Sequence, residues 1–138
     1  MGKGRIFLKP DYLAEGYFDQ KGYLRKEIFT TEAVHVADVL ADRGMKNAAL
    51  RRFYAKLRGI DNRFLANGDF NEVQQKLYSF HPDVAYAVGR KVVPPEFQNF
   101  IDTNIKLAVK GANHFKGFID HFQSVVAYFK EQDSRNRR

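Results

Sequence analysis

The stretch 114–130, HFKGFIDHFQSVVAYFK, constrains the fold more than any other part of the chain. Phe115, Phe118, Ile119, Phe122, Val125, Val126 and Phe129 recur there at helical spacing, and at about 100° per residue all seven fall within an arc of roughly 120°. Lys116, Asp120, Gln123, Ser124 and Glu131 take the other arc. A helix divided in this way does not stay single, because each phenylalanine on the stripe needs on the order of 150–200 Å² of partner surface, which only several other helices or a second subunit can supply. The segment reads as the core helix and its stripe as a packing surface. His114 and His121 flank the stripe with no carboxylate or cysteine at ligand spacing, so no metal site is expected.

A chain of 138 residues, 44% of them hydrophobic, supports one domain with one sizeable core; residues 1–138 are expected to form a single helical domain. No apolar run approaches the roughly 18–20 residues that span a bilayer, and the opening residues do not read as a charged-then-apolar leader with a small-residue cleavage site, so none is expected. There is no cysteine. A soluble, cytoplasmic protein without membrane contact is the expectation. The net charge of +7 is compatible with a polyanionic partner, and its placement has to decide.

Residues 1–30 carry several Gly and Pro breaks yet are rich in aromatics, Phe7, Tyr12, Tyr17, Phe18, Tyr23 and Phe29, which sets them apart from disordered arms. They read as an irregular arm pinned to a bundle, with a turn between Tyr17-Phe18-Asp19 and Gly22-Tyr23-Leu24-Arg25 that could close a small hairpin. A first helix opens at Thr30 or Thr31 as cap, with Glu32 at its positive end, and closes at Gly44. It looks short and small-faced. His35 and Asp38, one turn apart on it, read as a surface pair.

The second helix runs from Lys46 or Asn47 to Asn67 and ends at Gly68. Leu50, Phe53, Tyr54, Leu57, Ile60, Phe64 and Leu65 cover one side; Arg52, Lys56 and Arg63 are placed on the opposite side, with Arg51 and Arg58 on its flank and Lys46 at the start. Across 44–66 there are six basic residues against the single acid Asp61, so +5 of the chain's +7 is concentrated here. Like charges one turn apart repel, and an unmixed stripe calls for an external anion. A solvated basic face is the competing reading.

Asp69 is a cap for a third helix holding Phe70, Val73, Leu77 and Tyr78; Pro82 suits the first turn of a short helix over 83–90. Arg90 and Lys91 lie in a basic connector ending at Pro94-Pro95, which opens a helix facing Phe97, Phe100, Ile101, Asn104 or Ile105, and Ala108 inward. Residues 132–138 form a basic tail expected to fray. The fold class is all-α: an irregular bundle of five to six helices with an aromatic-rich, mostly irregular N-terminal segment.

Catalytic chemistry is not legible. There is no Gly-rich phosphate loop, no HExxH and no CxxC, and Ser79, Ser124 and Ser134 lie beside no evident base and orienting acid. Neither catalytic residues, nor a cofactor, nor a small-molecule substrate is expected, and a nuclease built on His35 or His121 has little support. The residues by themselves leave two readings open, a basic helical domain that binds nucleic acid and a protein-interaction module docking its stripe on an acidic partner.

Three stretches in order, Gly16-Tyr17-Phe18-Asp19 with Gly22-Tyr23-Leu24-Arg25, then Thr31-Glu32-Ala33 with Ala37, then Leu50-Arg51-Arg52-Phe53-Tyr54, resemble the small subunit of the type III-A CRISPR Csm effector complex. Further on, Pro82-Asp83-Val84-Ala85-Tyr86-Ala87 with Gly89-Arg90, and the closing helix from Phe115 to Lys130, are similar to the same family over roughly residues 12–131. The resemblance implies a non-catalytic, all-helical subunit in antiviral defence. It would stack in a few copies along the complex, with the other Csm subunits, crRNA and target RNA as partners and self-association as a further expectation. RNA contacts would then go to phosphates and sugars, indifferent to sequence. The candidate RNA-binding residues are Lys46, Arg51, Arg52, Lys56, Arg58, Arg63, Arg90 and Lys91.

Overall fold

The structure, a computed structural model, describes residues 8–136. They form the α-helices α1 (Thr31–Asp42), α2 (Asn47–Asn67), α3 (Phe70–Tyr78), α4 (Phe80–Gly89), α5 (Pro95–Ala108) and α6 (Ala112–Asn136), preceded by a 3-10 turn at Lys26–Ile28. Among the described residues the only strand-like feature is one antiparallel bridge, Phe18 to Leu24. The all-α expectation holds, and the arm's turn closes by that bridge and by the Asp19 carboxylate, which accepts from the N–H groups of Lys21 and Tyr23, each at 2.9 Å.

Local chemistry accounts for most boundaries. Gly44, with φ +82°, ends α1: its N–H donates to Ala41, and Met45 N–H donates back to Leu40, the paired bonds of a Schellman ending. The start of α1 differs from expectation, since the Thr30 hydroxyl donates to the Lys26 carbonyl and leaves the helix without a side-chain cap. Asp69 does cap α3, accepting from Glu72 N–H at 3.2 Å. Helix α4 begins at Phe80, earlier than the expected 83, with Pro82 in its first turn where the missing donor costs nothing. It ends in the same double bond pattern as α1, Lys91 to Val88 and Val92 to Ala87, but with Lys91 rather than glycine at φ +63°. Helix α6 continues to Asn136, so 132–136 extend the core helix; Arg137 and Arg138, like Phe7 and the rest of 1–7, lie outside the described residues.

Helix α6 is the centre of the core, lying against α1, α2 and α5. Phe115, Phe118, Phe122 and Val125 are fully buried or nearly so, with Ile119 and Phe129 close behind. The Phe122 ring meets Phe100 edge-on at 5.1 Å and stacks on Phe118 at 5.8 Å. Phe53 of α2 touches Phe97 of α5 at 5.1 Å, so one aromatic lattice joins three helices. The small face of α1 is packed closely on α6: Ala33, Val36, Ala37 and Leu40 are all fully buried, and α1 has the most extensive backbone contact with α6 of any helix. Small side chains let two backbones approach, which extends the contact along both helices.

The arm packs on this bundle through polar groups as well as rings. Tyr17 seats on Gly117 of α6, where an added Cβ would stand 2.9 Å from the ring. His121, expected to flank the stripe, is fully buried, because the arm covers the side of α6 that the periodicity left open. Leu65, assigned to the apolar side of α2, is instead 76% exposed, because it falls seven residues on from the exposed Arg58, at the solvent edge of the apolar arc, while Phe64 beside it packs on Phe70 and Phe115.

Candidate nucleic-acid interface

The basic residues of α2 do not form one stripe. The buried line Leu50, Phe53, Leu57 and Ile60 faces the core, and at about 100° per residue Arg52, Lys56 and Arg63 fall on one edge of the solvent side while Arg51 and Arg58 fall on the other. Between the two edges the crest consists of Ala48, Ala55, Gly59, Asn62 and Ala66, all exposed. A helix with a low crest and cations on both shoulders can lie close to an extended polyanion.

The edge formed by Arg52, Lys56 and Arg63 is already met from within the chain. An Arg52 terminal nitrogen lies 3.5 Å from Asp83 Oδ1 and Lys56 Nζ lies 3.3 Å from Asp83 Oδ2, so one carboxylate of α4 bridges two cations of α2. Lys56 also donates to the Ser79 carbonyl at 3.3 Å and sits 4.6 Å from the centre of the Phe80 ring, while the Arg52 guanidinium lies over Phe53 at 4.2 Å. Arg63 Nε reaches both Glu72 oxygens, at 2.7 and 2.8 Å, and Asn67 donates to the same carboxylate at 3.0 Å. The Asn67 and Arg63 hydrogen bonds hold the Glu72 carboxyl below its ordinary range. The premise that these cations need an external anion is therefore corrected for this edge: the tight turn at Gly68 folds α3 back along α2 and brings Glu72 to Arg63. That pairing was readable from the turn; the Asp83 contact, made across the α3–α4 break, was not.

The remaining candidates are exposed. Arg58 donates to the Tyr54 hydroxyl at 3.3 Å, a hydrogen bond that holds its guanidinium still more firmly charged, and Tyr54 packs on Phe122 at 5.3 Å, which places this edge beside the α2–α6 seam. Among the described residues the side chains of Arg51, Lys46 and Lys91 make no hydrogen bond or ion pair. Arg90 lies over the exposed ring of Tyr86, 5.8 Å from its centre. Lys91 lines a concavity of 420 Å³ with Arg43, Gly44, Val92, Pro94 and Glu96, between the end of α1 and the α4–α5 connector.

The buried polar groups form a separate, internal set. His121 Nδ1 lies 2.8 Å from the Ile28 carbonyl and Nε2 2.7 Å from the Tyr12 hydroxyl; Asn104 Nδ2 donates to Tyr12 at 2.9 Å, and Tyr17 donates to Asn104 Oδ1 at 2.6 Å. His35, partly buried and with its pKa lowered mainly by burial, accepts from Lys9 N–H at 3.0 Å instead of pairing with Asp38. Among the described residues no group of three or more His, Cys, Asp or Glu is placed to hold a metal ion, and no helix is long and apolar enough to cross a membrane.

Comparison with curated proteins and with solved structures gives no match. Comparison with family models matches residues 24–135 to the model described as Csm2 Type III-A, a span that takes in α1 to α5 and all but the last residue of α6, and with them both edges of α2. On that match the chain belongs to the Csm2 family, whose members are subunits of type III-A CRISPR complexes.

Proposed function

We propose that this protein is a non-catalytic, RNA-contacting subunit of its type III-A complex, stacking along the assembly with other Csm subunits and holding the backbone of crRNA and target RNA in antiviral defence. The observation that carries the reading is α2 itself, a 21-residue helix with exposed cations on both shoulders of a small-residue crest. Phosphates are the common feature of all guide and target sequences, so cations set at fixed helical spacing would hold any guide equally well. Arg51 and Arg58 are the strongest candidates, with Lys46, Arg90 and Lys91 extending the face around the corner; Arg52, Lys56 and Arg63 contribute while sharing their charge with Asp83 and Glu72.

A second reading is favoured by those same internal pairs. They remove part of the unpaired surplus that argued for a polyanion, and the exposed Tyr86, Val92 and Leu65 give the basic face an apolar component suited to a protein neighbour. Titration of a labelled random-sequence RNA at several salt concentrations separates the two. RNA binding that weakens steeply with salt, and falls about tenfold or more for Arg51→Glu with Arg58→Glu, supports the first reading. Unchanged binding in that double variant, alone and assembled with the other subunits, would falsify it in favour of protein docking. Arg52→Glu with Lys56→Glu is the poorer test, because both new carboxylates would face Asp83 and disturb the fold.

A further inference from the structure

Among the described residues Asp83 is the one carboxylate on the α2 face that bridges two cations, and it does so loosely. Its oxygens stand 3.5 Å from Arg52 and 3.3 Å from Lys56, whereas Glu72 grips Arg63 at 2.7 and 2.8 Å with a third donor from Asn67. The Asp83 side chain is 28% exposed and Arg52 is 56% exposed, so the bridge lies at the surface where a phosphate could reach it. Two oxygens of one anion, each facing a different cation, is also the arrangement a bridging phosphate would adopt. We propose that Asp83 is an internal counter-ion that sets the affinity of the α2 face for RNA, occupying between Arg52 and Lys56 the place of one backbone phosphate. The inference rests on the RNA reading above and adds a competitor to it.

Physical consequences follow from the contacts around the bridge. Lys56 stays in place without Asp83, since the Ser79 carbonyl and the Phe80 ring hold its ammonium from two other directions. Arg52 stays pinned over Phe53. Neutralising Asp83 would thus leave a preformed pair of cations rather than two loose side chains, and a pair already ordered binds an anion with less entropy to lose. In the parent protein the same pair is partly neutralised, which keeps a subunit meant for changeable guides from holding any one RNA too tightly.

The test compares the full-length parent with Asp83→Asn and with Asp11→Asn, the same change of charge on the arm. Each is titrated with a labelled 20-nucleotide polyuridine at several salt concentrations, and folding is checked by circular dichroism. Asp83→Asn is expected to bind about three- to tenfold more tightly near 0.1 M salt, with a salt slope steeper by about 0.7 for each phosphate gained on a single strand. Asp11→Asn should change affinity less than about twofold, because Asp11 lines a separate cleft with Glu15, Arg25 and Glu32 and pairs with none of the α2 cations. Adding Arg52→Gln and Lys56→Gln should abolish the gain. Equal gains for the two Asp→Asn variants, or a gain that survives loss of both cations, would overturn the counter-ion. If Arg51→Glu with Arg58→Glu weakens binding while Asp83→Asn does nothing, the RNA reading stands and the counter-ion alone fails. Absence of binding by every variant would remove both.

Discussion

The Tyr12 hydroxyl and His121 Nε2 lie 2.7 Å apart inside the bundle, joining the irregular arm to the core helix. The direction of every hydrogen bond in their network can be assigned. The Ile28 carbonyl can only accept, so His121 Nδ1 carries the proton; neutral Nε2 then accepts from Tyr12, whose oxygen accepts from Asn104, whose own Oδ1 accepts from Tyr17. Four side chains from the arm, α5 and α6 satisfy one another, and the arrangement requires a neutral imidazole.

Burial pushes the His121 pKa down to about 4 from an ordinary value of 6.5. The unfolded chain therefore takes up a proton, as pH falls from about 6.5 to about 4, that the folded chain refuses, and the stability present above 6.5 is lost over that window. A gap of about 2.5 units corresponds to roughly 3 kcal/mol. Urea midpoints measured between pH 7 and 4.5 should fall in the parent and fall less steeply in His121→Gln. Parallel curves for the two would locate the acid sensitivity in other groups.

Phe122→Ala should destabilise the domain by about 3–5 kcal/mol, because the fully buried ring fills the junction of α2, α5 and α6 and its loss leaves a cavity there. Its neighbours at ring-contact distance are Phe100, Phe118, Phe97 and Tyr54. Thermal or denaturant unfolding measures the loss. A variant melting with the parent would make the stripe an exposed assembly face.

Gly117→Ala should also destabilise, by about 1–3 kcal/mol, although alanine is the better helix former by about 1 kcal/mol. The new methyl group would stand 2.9 Å from Tyr17 Cδ2 and 3.0 Å from Cγ, atoms of a fully buried ring fixed by its hydrogen bond to Asn104, so the ring has little room to retreat. Calorimetry on parent and variant decides the sign; a raised melting temperature would show that the arm yields at this contact.

Helices, several of their ends and the centre of the core were legible in the sequence because they follow from local rules: the period of the Phe115 to Phe129 stripe, Asp69 one residue before α3, Gly44 and Gly68 where the chain must turn with positive φ. The stripe even identified its own role, since an aromatic face that wide has nowhere to go but the middle. What depended on the tertiary structure were relations across sequence distance. His121 sits at the edge of the apolar arc by periodicity, and only the arm crossing that edge buries it. Leu65 has the spacing of a core residue, yet α3 and α6 close on Phe64 beside it and leave it exposed. Arg52 and Lys56 read as free cations until α4 brings Asp83 against them. Periodicity specifies which way a side chain points from its own axis; what stands there is decided by packing, and charge neutralisation, like burial, is a property of the pair.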